Sequence, residues 1–182
     1  MSIKDIVYIA LFAALTAALG LVPPVNIPAL GVPITAQTFG VMLAGGILGA
    51  KRGGLAMVLF VVLVAIGLPV LSGGRGGAGV LVGASGGFIF GWIVAAFVIG
   101  YMAERFWNNL NVVRSLLACA VGGIVVLYAI GVPWLAVVAG LPIEKAAMGA
   151  GVYIPGDLVK AVLASIIMVQ VKRAYPLITA KA

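Results

Sequence analysis

The sequence predicts an all-α membrane protein with six transmembrane helices and both termini in the cytoplasm. Three observations predict it. Hydrophobic residues make up 64% of the 182 residues and charged ones only 8%, too few charges for a water-facing surface, which in soluble domains takes about 25%. The apolar residues fall into six runs. The connections between the runs alternate between short basic turns and long segments rich in proline or glycine. A spanning helix takes about 20 residues, so the spans leave no length for a soluble domain, and residues 1–182 are expected to form a single polytopic membrane domain.

The six runs lie at about 6–22, 38–50, 55–71, 87–103, 115–131 and 155–171. The first follows Lys4 and contains Ala-x-Ala triplets, as a cleaved signal peptide would, but its 17 residues exceed the usual 7–15-residue apolar region of such peptides. It is read as the first span. The second is short, and Gly45, Gly46 and Gly49 suit it to tight packing against neighbouring helices. A further apolar stretch at 133–142 is interrupted by Pro133, Gly140 and Pro142, and is expected to be a half-helix or surface-lying segment rather than a seventh span.

The basic residues orient the chain. Lys4, Lys51, Arg52, Arg105, Arg114, Lys172, Arg173 and Lys181 are 8 of the 11 Lys and Arg, and all fall on one side of a six-span arrangement. By the positive-inside rule that side is cytoplasmic. Arg75, Lys145 and Lys160 fall on the outer side or just within it. The outer connections, about 23–37, 72–86 and 132–154, are long. The first holds Pro23, Pro24, Pro28 and Pro33, and the stretch Ser72 to Gly87 has eight glycines. Long, apolar loops, the first without any charge, suit packed lids over a site that opens outward. No internal repeat is visible.

Several chemistries are excluded. The net charge of +7 is accounted for by membrane orientation, so no nucleic-acid partner is expected. With no His and one Cys, Cys119, no zinc site, disulfide or Cys–His nucleophile is available. Gly74-Arg75-Gly76-Gly77-Ala78-Gly79 matches G-x-G-x-x-G, but the acidic residue expected about 20 positions on is absent; the next is Glu104, beyond another span. Gly45 to Arg52 has the wrong glycine spacing for a P-loop, with Arg52 where Ser or Thr should hold magnesium. No catalytic residues, metal or cofactor are expected.

The segment Tyr153-Ile154-Pro155-Gly156-Asp157-Leu158-Val159-Lys160 is the sharpest polar signal. Pro155 suits the first helical position, and Asp157 and Lys160 then share one face as i and i+3, about 3 Å and about 8 Å inside the outer helix end. Ionisable groups within a span normally face a cavity or the bundle interior. The pair is either a structural lock or a site for a ligand with both donors and acceptors. Asn26, Thr35, Gln37, Thr38, Arg75 and Ser85 gather at the same depth from the other outer loops, and Trp92, Trp134 and Tyr153 are candidates for apolar walls. In the first span Ala10, Ala14 and Ala18 form a smooth stripe beside Ala13 and Ala17. Such a stripe lets another helix approach closely, within this bundle or in a separate membrane subunit.

Together, Pro33-Ile34-Thr35-Ala36-Gln37-Thr38, Gly83-Ala84-Ser85-Gly86-Gly87-Phe88-Ile89-Phe90-Gly91 and the Tyr153–Lys160 segment resemble the BioY family, the biotin-specific substrate-binding (S) components of energy-coupling factor (ECF) transporters. The resemblance runs over nearly the whole chain. It implies the S-component fold in a prokaryotic membrane and high-affinity capture of biotin from outside, without enzymatic activity. Delivery would use a transmembrane coupling (T) component and ATPase subunits. A solitary biotin carrier or facilitator is the alternative. Asp157 and Lys160 fall on the family's acidic and basic ligand positions, and Gln37, Arg75, Ser85, Gly86, Gly87 and Tyr153 complete the implied site. The family pattern leads us to expect Pro, Thr and Tyr at Ala84, Ser85 and Phe88. Biotin suits these residues: Asp157 can accept from its ureido N–H groups, Lys160 can serve the ureido carbonyl or the carboxylate, and Arg75 is assigned to the carboxylate. The alanine stripe resembles the surface by which S components meet the T component.

Overall fold

A computed structural model describes residues 1–25 and 32–178. Asn26, Pro28 and Lys181, all singled out above, lie outside them. The order is α1 (Ile3–Leu19), α2 (Gln37–Leu48), α3 (Ala50–Ala65), α4 (Ala78–Val82), α5 (Gly86–Arg105), a 3-10 turn (Trp107–Asn109), α6 (Val112–Ala120), a π-helical segment (Val121–Val126), α7 (Leu127–Ala139), α8 (Ile143–Gly151) and α9 (Ile154–Ala174). Among the described residues there is no strand beyond two isolated bridges, Val25–Ile34 and Leu71–Arg75.

The helix ends follow from local chemistry. Ser2 opens α1 with a capping box: its hydroxyl accepts from the Asp5 N–H while the Asp5 carboxylate accepts from the Ser2 N–H at 2.8 Å. This satisfies two of the donors that a helix start leaves free. Between α2 and α3 the chain turns on one residue, Gly49, at φ +86°, a region that penalises any side chain. The carboxylate of Glu104, from the end of α5, caps the first N–H of α3 at Ala50, at 2.8 Å. That turn starts α3 at Ala50 rather than at the expected 55, and puts Lys51 and Arg52 inside its first turn.

The second departure lies at 112–139. The expected run 115–131 and the stretch expected to break at Pro133 form a single helical path, α6 through the π segment into α7. Pro133 sits within α7 without ending it, as membrane helices tolerate when neighbours satisfy the backbone. The helix stops instead at Gly140, in the left-handed region at φ 64°, where Leu141 N–H reaches the Ala136 carbonyl at 2.9 Å. This is a Schellman ending, with Pro142 just beyond it. The outer connection that follows carries the short helix α8.

Three helical segments, Gly86–Arg105, Val112–Ala139 and Ile154–Ala174, are long and apolar enough to cross a membrane. Around them α2 is the buried centre, in contact with α1, α3, α5 and α9. Ten of its twelve residues are buried. Its small residues let the neighbours close in: Gly45 lies against the Ala96 backbone of α5, and Gly46 against Met168 of α9. The outer surface of α1, α5 and α9 is the reverse, with Val7, Leu11, Phe97, Val159 and Leu163 exposed. Apolar inside and apolar outside is the pattern of a bundle solvated by lipid.

Candidate ligand cavity

A cavity with about 540 Å³ of empty space, its mouth included, lies among α2, α5, α7, the start of α9 and the two loops that precede α2 and α4. Its wall is mostly apolar, with Val32, Pro33 and Ile34 from the first loop, Leu71 from the second, and Phe88, Ile89 and Trp92 from α5. Phe88 stands edge-on to both Tyr128 and Tyr153, with ring centroids 5.9 and 6.4 Å away. The size and the few convergent polar groups are those of a small-molecule site.

The polar end is a closed circuit. Lys160 Nζ donates to Asp157 Oδ1 at 2.9 Å, to Thr38 Oγ1 at 2.9 Å and to the Thr35 carbonyl at 2.6 Å. All three ammonium protons are thereby matched to acceptors. Thr38 passes its own hydroxyl proton to Asp157 Oδ1 at 3.1 Å, and Tyr128 donates to Asp157 Oδ2 at 2.7 Å. Asp157 is 3% exposed. A buried carboxylate needs such pairing, since an isolated one would be too costly to keep ionised.

Arg75 stands in a different electrostatic position. The chain from Leu71 to Arg75 folds back on itself, closed by reciprocal backbone hydrogen bonds of 3.0 and 3.2 Å between those two residues. Gly73 and Gly74 take the positive φ values that the bend requires. The guanidinium is half-buried on the cavity wall, where Nε donates to the Ser72 carbonyl at 3.2 Å and Nη1 to Ser85 Oγ at 3.4 Å. Among the described residues the only ion pairs are Asp5–Arg52 and Asp157–Lys160, so Arg75 has no carboxylate. Burial alone lowers its pKa from the ordinary guanidinium value, and it remains a cation.

The model of the BioY family matches residues 1–177 of this sequence. The chain belongs to the BioY family. The biotin transporter BioY of Rhizobium etli is 51% identical over 187 residues, covering all of both chains. The Rhodobacter capsulatus biotin transporter BioY is 46% identical over 90% of each. A crystal structure of the S-component for biotin from an ECF-type ABC transporter superposes with a TM-score of 0.89 at 34% identity, covering 94% of this chain and 92% of the other. The fold is therefore the all-α, multi-spanning S-component fold.

Of the positions marked on the sequence in this BioY chain, Asp157, Lys160, Arg75, Ser85, Gln37 and Tyr153 all reach the cavity wall. They do not all offer free polar atoms to it. Gln37 is fully buried, and its amide donates to the Thr16 and Val70 carbonyls, both at 3.0 Å, and accepts from the Ser72 N–H at 3.0 Å. It ties α1 and α2 to the loop that carries Arg75. The Tyr153 hydroxyl is likewise committed, to the Val32 carbonyl at 2.7 Å. Gly86 and Gly87 lie off the cavity lining. A side chain at Gly87 would run into Trp134 and one at Gly86 into the Leu81 backbone; the Trp134 indole N–H donates to the Gly83 carbonyl at 2.9 Å. Trp134 thus braces the glycine loop from behind, and only Trp92 and Tyr153 of the three expected aromatic walls line the cavity.

Tyr128 was not marked by the sequence reading. It sits in an apolar run, and the π segment just before it, with one extra residue in its turn, sets which face it presents. A signal existed nonetheless: a phenol hydroxyl deep in an apolar run needs a hydrogen-bond partner. On α1, Ala10, Ala14 and Ala18 are exposed while Ala13 is buried and Ala17 half-buried. The stripe faces out of the bundle.

Proposed function

We propose that this chain is the biotin capture subunit of a vitamin uptake transporter, a single membrane domain of six spans in a prokaryotic cytoplasmic membrane, with both termini inside. Its membership of the BioY family and its likeness to the biotin S-component support the ligand. α1, α2 and α3 are the three spans beyond the long helices Gly86–Arg105, Val112–Ala139 and Ile154–Ala174, and α2 is short because it is surrounded by protein rather than lipid.

The observation that carries the reading is the division of charge in one apolar cavity. The Asp157–Lys160 pair is internally neutral, whereas Arg75 is a cation without an acidic partner among the described residues. Biotin has a matching division: a neutral ureido ring with two N–H donors and a carbonyl acceptor, an apolar thioether ring and chain, and one carboxylate. In this reading Asp157, with three of about four acceptor positions used, takes a ureido N–H. Lys160 and Thr38 orient it, and Arg75, backed by Ser85, takes the carboxylate. Gln37 and Tyr153 hold the walls through their backbone bonds, Gly87 admits the bracing Trp134, and Gly86 admits the Leu81 backbone.

Delivery would pass through a T component with ATPase subunits. The outward orientation of Ala10, Ala14 and Ala18 supports a docking surface, and favours a coupled subunit over a solitary carrier. Titration of the purified chain with biotin tests the capture reading. Tight one-to-one binding is expected, and desthiobiotin, which keeps the ureido ring and acid, should bind more weakly. Equal affinity for a plain fatty acid of the same length would overturn it, because that ligand leaves the Asp157 cluster unmatched.

A further inference from the structure

On the opposite side of α5 from the cavity, α3 and α5 leave a groove with about 660 Å³ of empty space, the open space at its mouth included. Gly54 and Val58 of α3 and Ile93 and Phe97 of α5 line it, and Lys51 stands at one end. The groove is open partly because residue 54 lacks a side chain. A methyl group there would sit 3.6 Å from Phe97, in ordinary contact, so helix packing does not demand glycine.

Two cations stand at the same end. Lys51 is exposed in the first turn of α3, next to Ala50, whose N–H is held by Glu104. Arg105, the last residue of α5, follows Phe97 and Tyr101 at four-residue steps and so continues the same exposed face. Neither forms an ion pair or side-chain hydrogen bond among the described residues, where Arg52 beside them is paired with Asp5. In the proposed topology this end is cytoplasmic, the leaflet whose surface carries anionic lipid.

We propose that the α3–α5 groove is a binding site for an anionic phospholipid, with one acyl chain along Gly54, Val58 and Phe97 and the phosphate between Lys51 and Arg105. Both halves of the site match that ligand: the walls are apolar, and the end at the membrane surface has two cations without partners among the described residues. A zwitterionic lipid fits the walls but carries its own compensating cation, so selection should lie in the headgroup.

The test is native mass spectrometry of the full chain released from detergent containing equal amounts of phosphatidylglycerol and phosphatidylcholine of the same acyl chains. Wild type should retain phosphatidylglycerol preferentially. Lys51→Gln and Arg105→Gln should each weaken that retention roughly fivefold, as expected for a basic side chain at an anionic leaflet. Gly54→Leu, which fills the groove, should lose both lipids. Equal retention of the two lipids by wild type overturns the proposal, and so does an unchanged preference in the Lys51→Gln/Arg105→Gln double variant. If Gly54→Leu blocks co-purification of a coupling subunit yet leaves lipid retention intact, the groove holds a partner helix and the lipid site is wrong. Biotin titration on the same preparations separates this proposal from the capture reading. Binding unchanged in all four variants is expected, and wild type that selects phosphatidylglycerol but ignores biotin would sink the capture reading alone.

Discussion

Tyr128 on α7 donates its phenol proton to Oδ2 of Asp157 on α9, across 2.7 Å. The bond joins two helices that the sequence separates by 29 positions, and it uses an acceptor position that a ureido N–H would otherwise find open. Tyr128 therefore fixes the orientation of the carboxylate as well as its occupancy. Tyr128→Phe keeps the edge-on contact with Phe88 and removes only this bond. A charge-assisted hydrogen bond contributes about 1.5–3 kcal/mol, so biotin affinity should fall about 10- to 100-fold through loss of orientation. Isothermal titration reads the effect. Unchanged affinity would mean that Thr38 and Lys160 suffice to hold Asp157.

Asp157→Ala and Lys160→Ala should each weaken biotin binding at least tenfold. Breaking a buried pair from one side commonly costs about 3–5 kcal/mol because the remaining charge is stranded. In Asp157→Ala the Lys160 ammonium keeps Thr35 and Thr38 but loses its counter-charge. In Lys160→Ala the carboxylate keeps Thr38 and Tyr128. The second variant should accordingly be the better folded of the two, measured by monodispersity in detergent. If both remain folded and bind biotin normally, the pair is a structural lock.

Arg75 and the ligand carboxylate can be tested as a couple. For wild type, biotin methyl ester should bind about 10- to 100-fold more weakly than biotin, the loss of one charge-assisted interaction. For Arg75→Ala the acid and the ester should bind alike, because neither meets a cation at that position. A full ester penalty surviving in Arg75→Ala would move the carboxylate to another residue, with Lys160 the next candidate.

Much of the bundle was legible in the sequence because apolar runs, basic turns and the Pro155 helix start are local signals. Asp157 and Lys160 were legible for the same reason: two charges at i and i+3 in an apolar helix have few roles. What was not legible depends on partners distant in the chain. Gln37 reads as a free polar group until Thr16, Val70 and Ser72 are seen to consume its amide. Gly86 and Gly87 read as a ligand loop until the Leu81 backbone and Trp134 are seen to take the space they leave. The path through Pro133 was misread because a proline was taken to end the helix, whereas Pro133 sits inside α7 and the chain breaks only at Gly140.

Gln37 supplies a prediction of the opposite kind to Asp157, stability first and binding second. Gln37→Ala strands the Ser72 N–H and two backbone carbonyls, and buried unpaired groups cost about 1–3 kcal/mol each. The apparent melting temperature in detergent should drop clearly, and added biotin should recover part of the loss by mass action. Gln37→Glu keeps the acceptor for Ser72 but loses both donors, so it should fall between wild type and Gln37→Ala. A Gln37→Ala protein as stable as wild type but unable to bind would reassign Gln37 to the ligand.

Ala14 separates capture from coupling. It lies midway along the exposed stripe of Ala10, Ala14 and Ala18, while the neighbouring Thr16, which gives its carbonyl to Gln37, faces inward and is buried. Bulk added at Ala14 therefore points away from the helices that shape the cavity. Close approach of a partner helix in lipid depends on the smoothness of such a surface, and an indole on it would hold the two backbones apart. Ala14→Trp should bind biotin as wild type does when purified alone, yet fail to co-purify with a T component and fail to accumulate biotin in cells. Ala13→Trp, on the buried side of the same helix, should damage folding instead and so reports what disruption of the bundle looks like. If Ala14→Trp loses biotin binding but still assembles, α1 is placed the other way round in the complex, with its stripe inside.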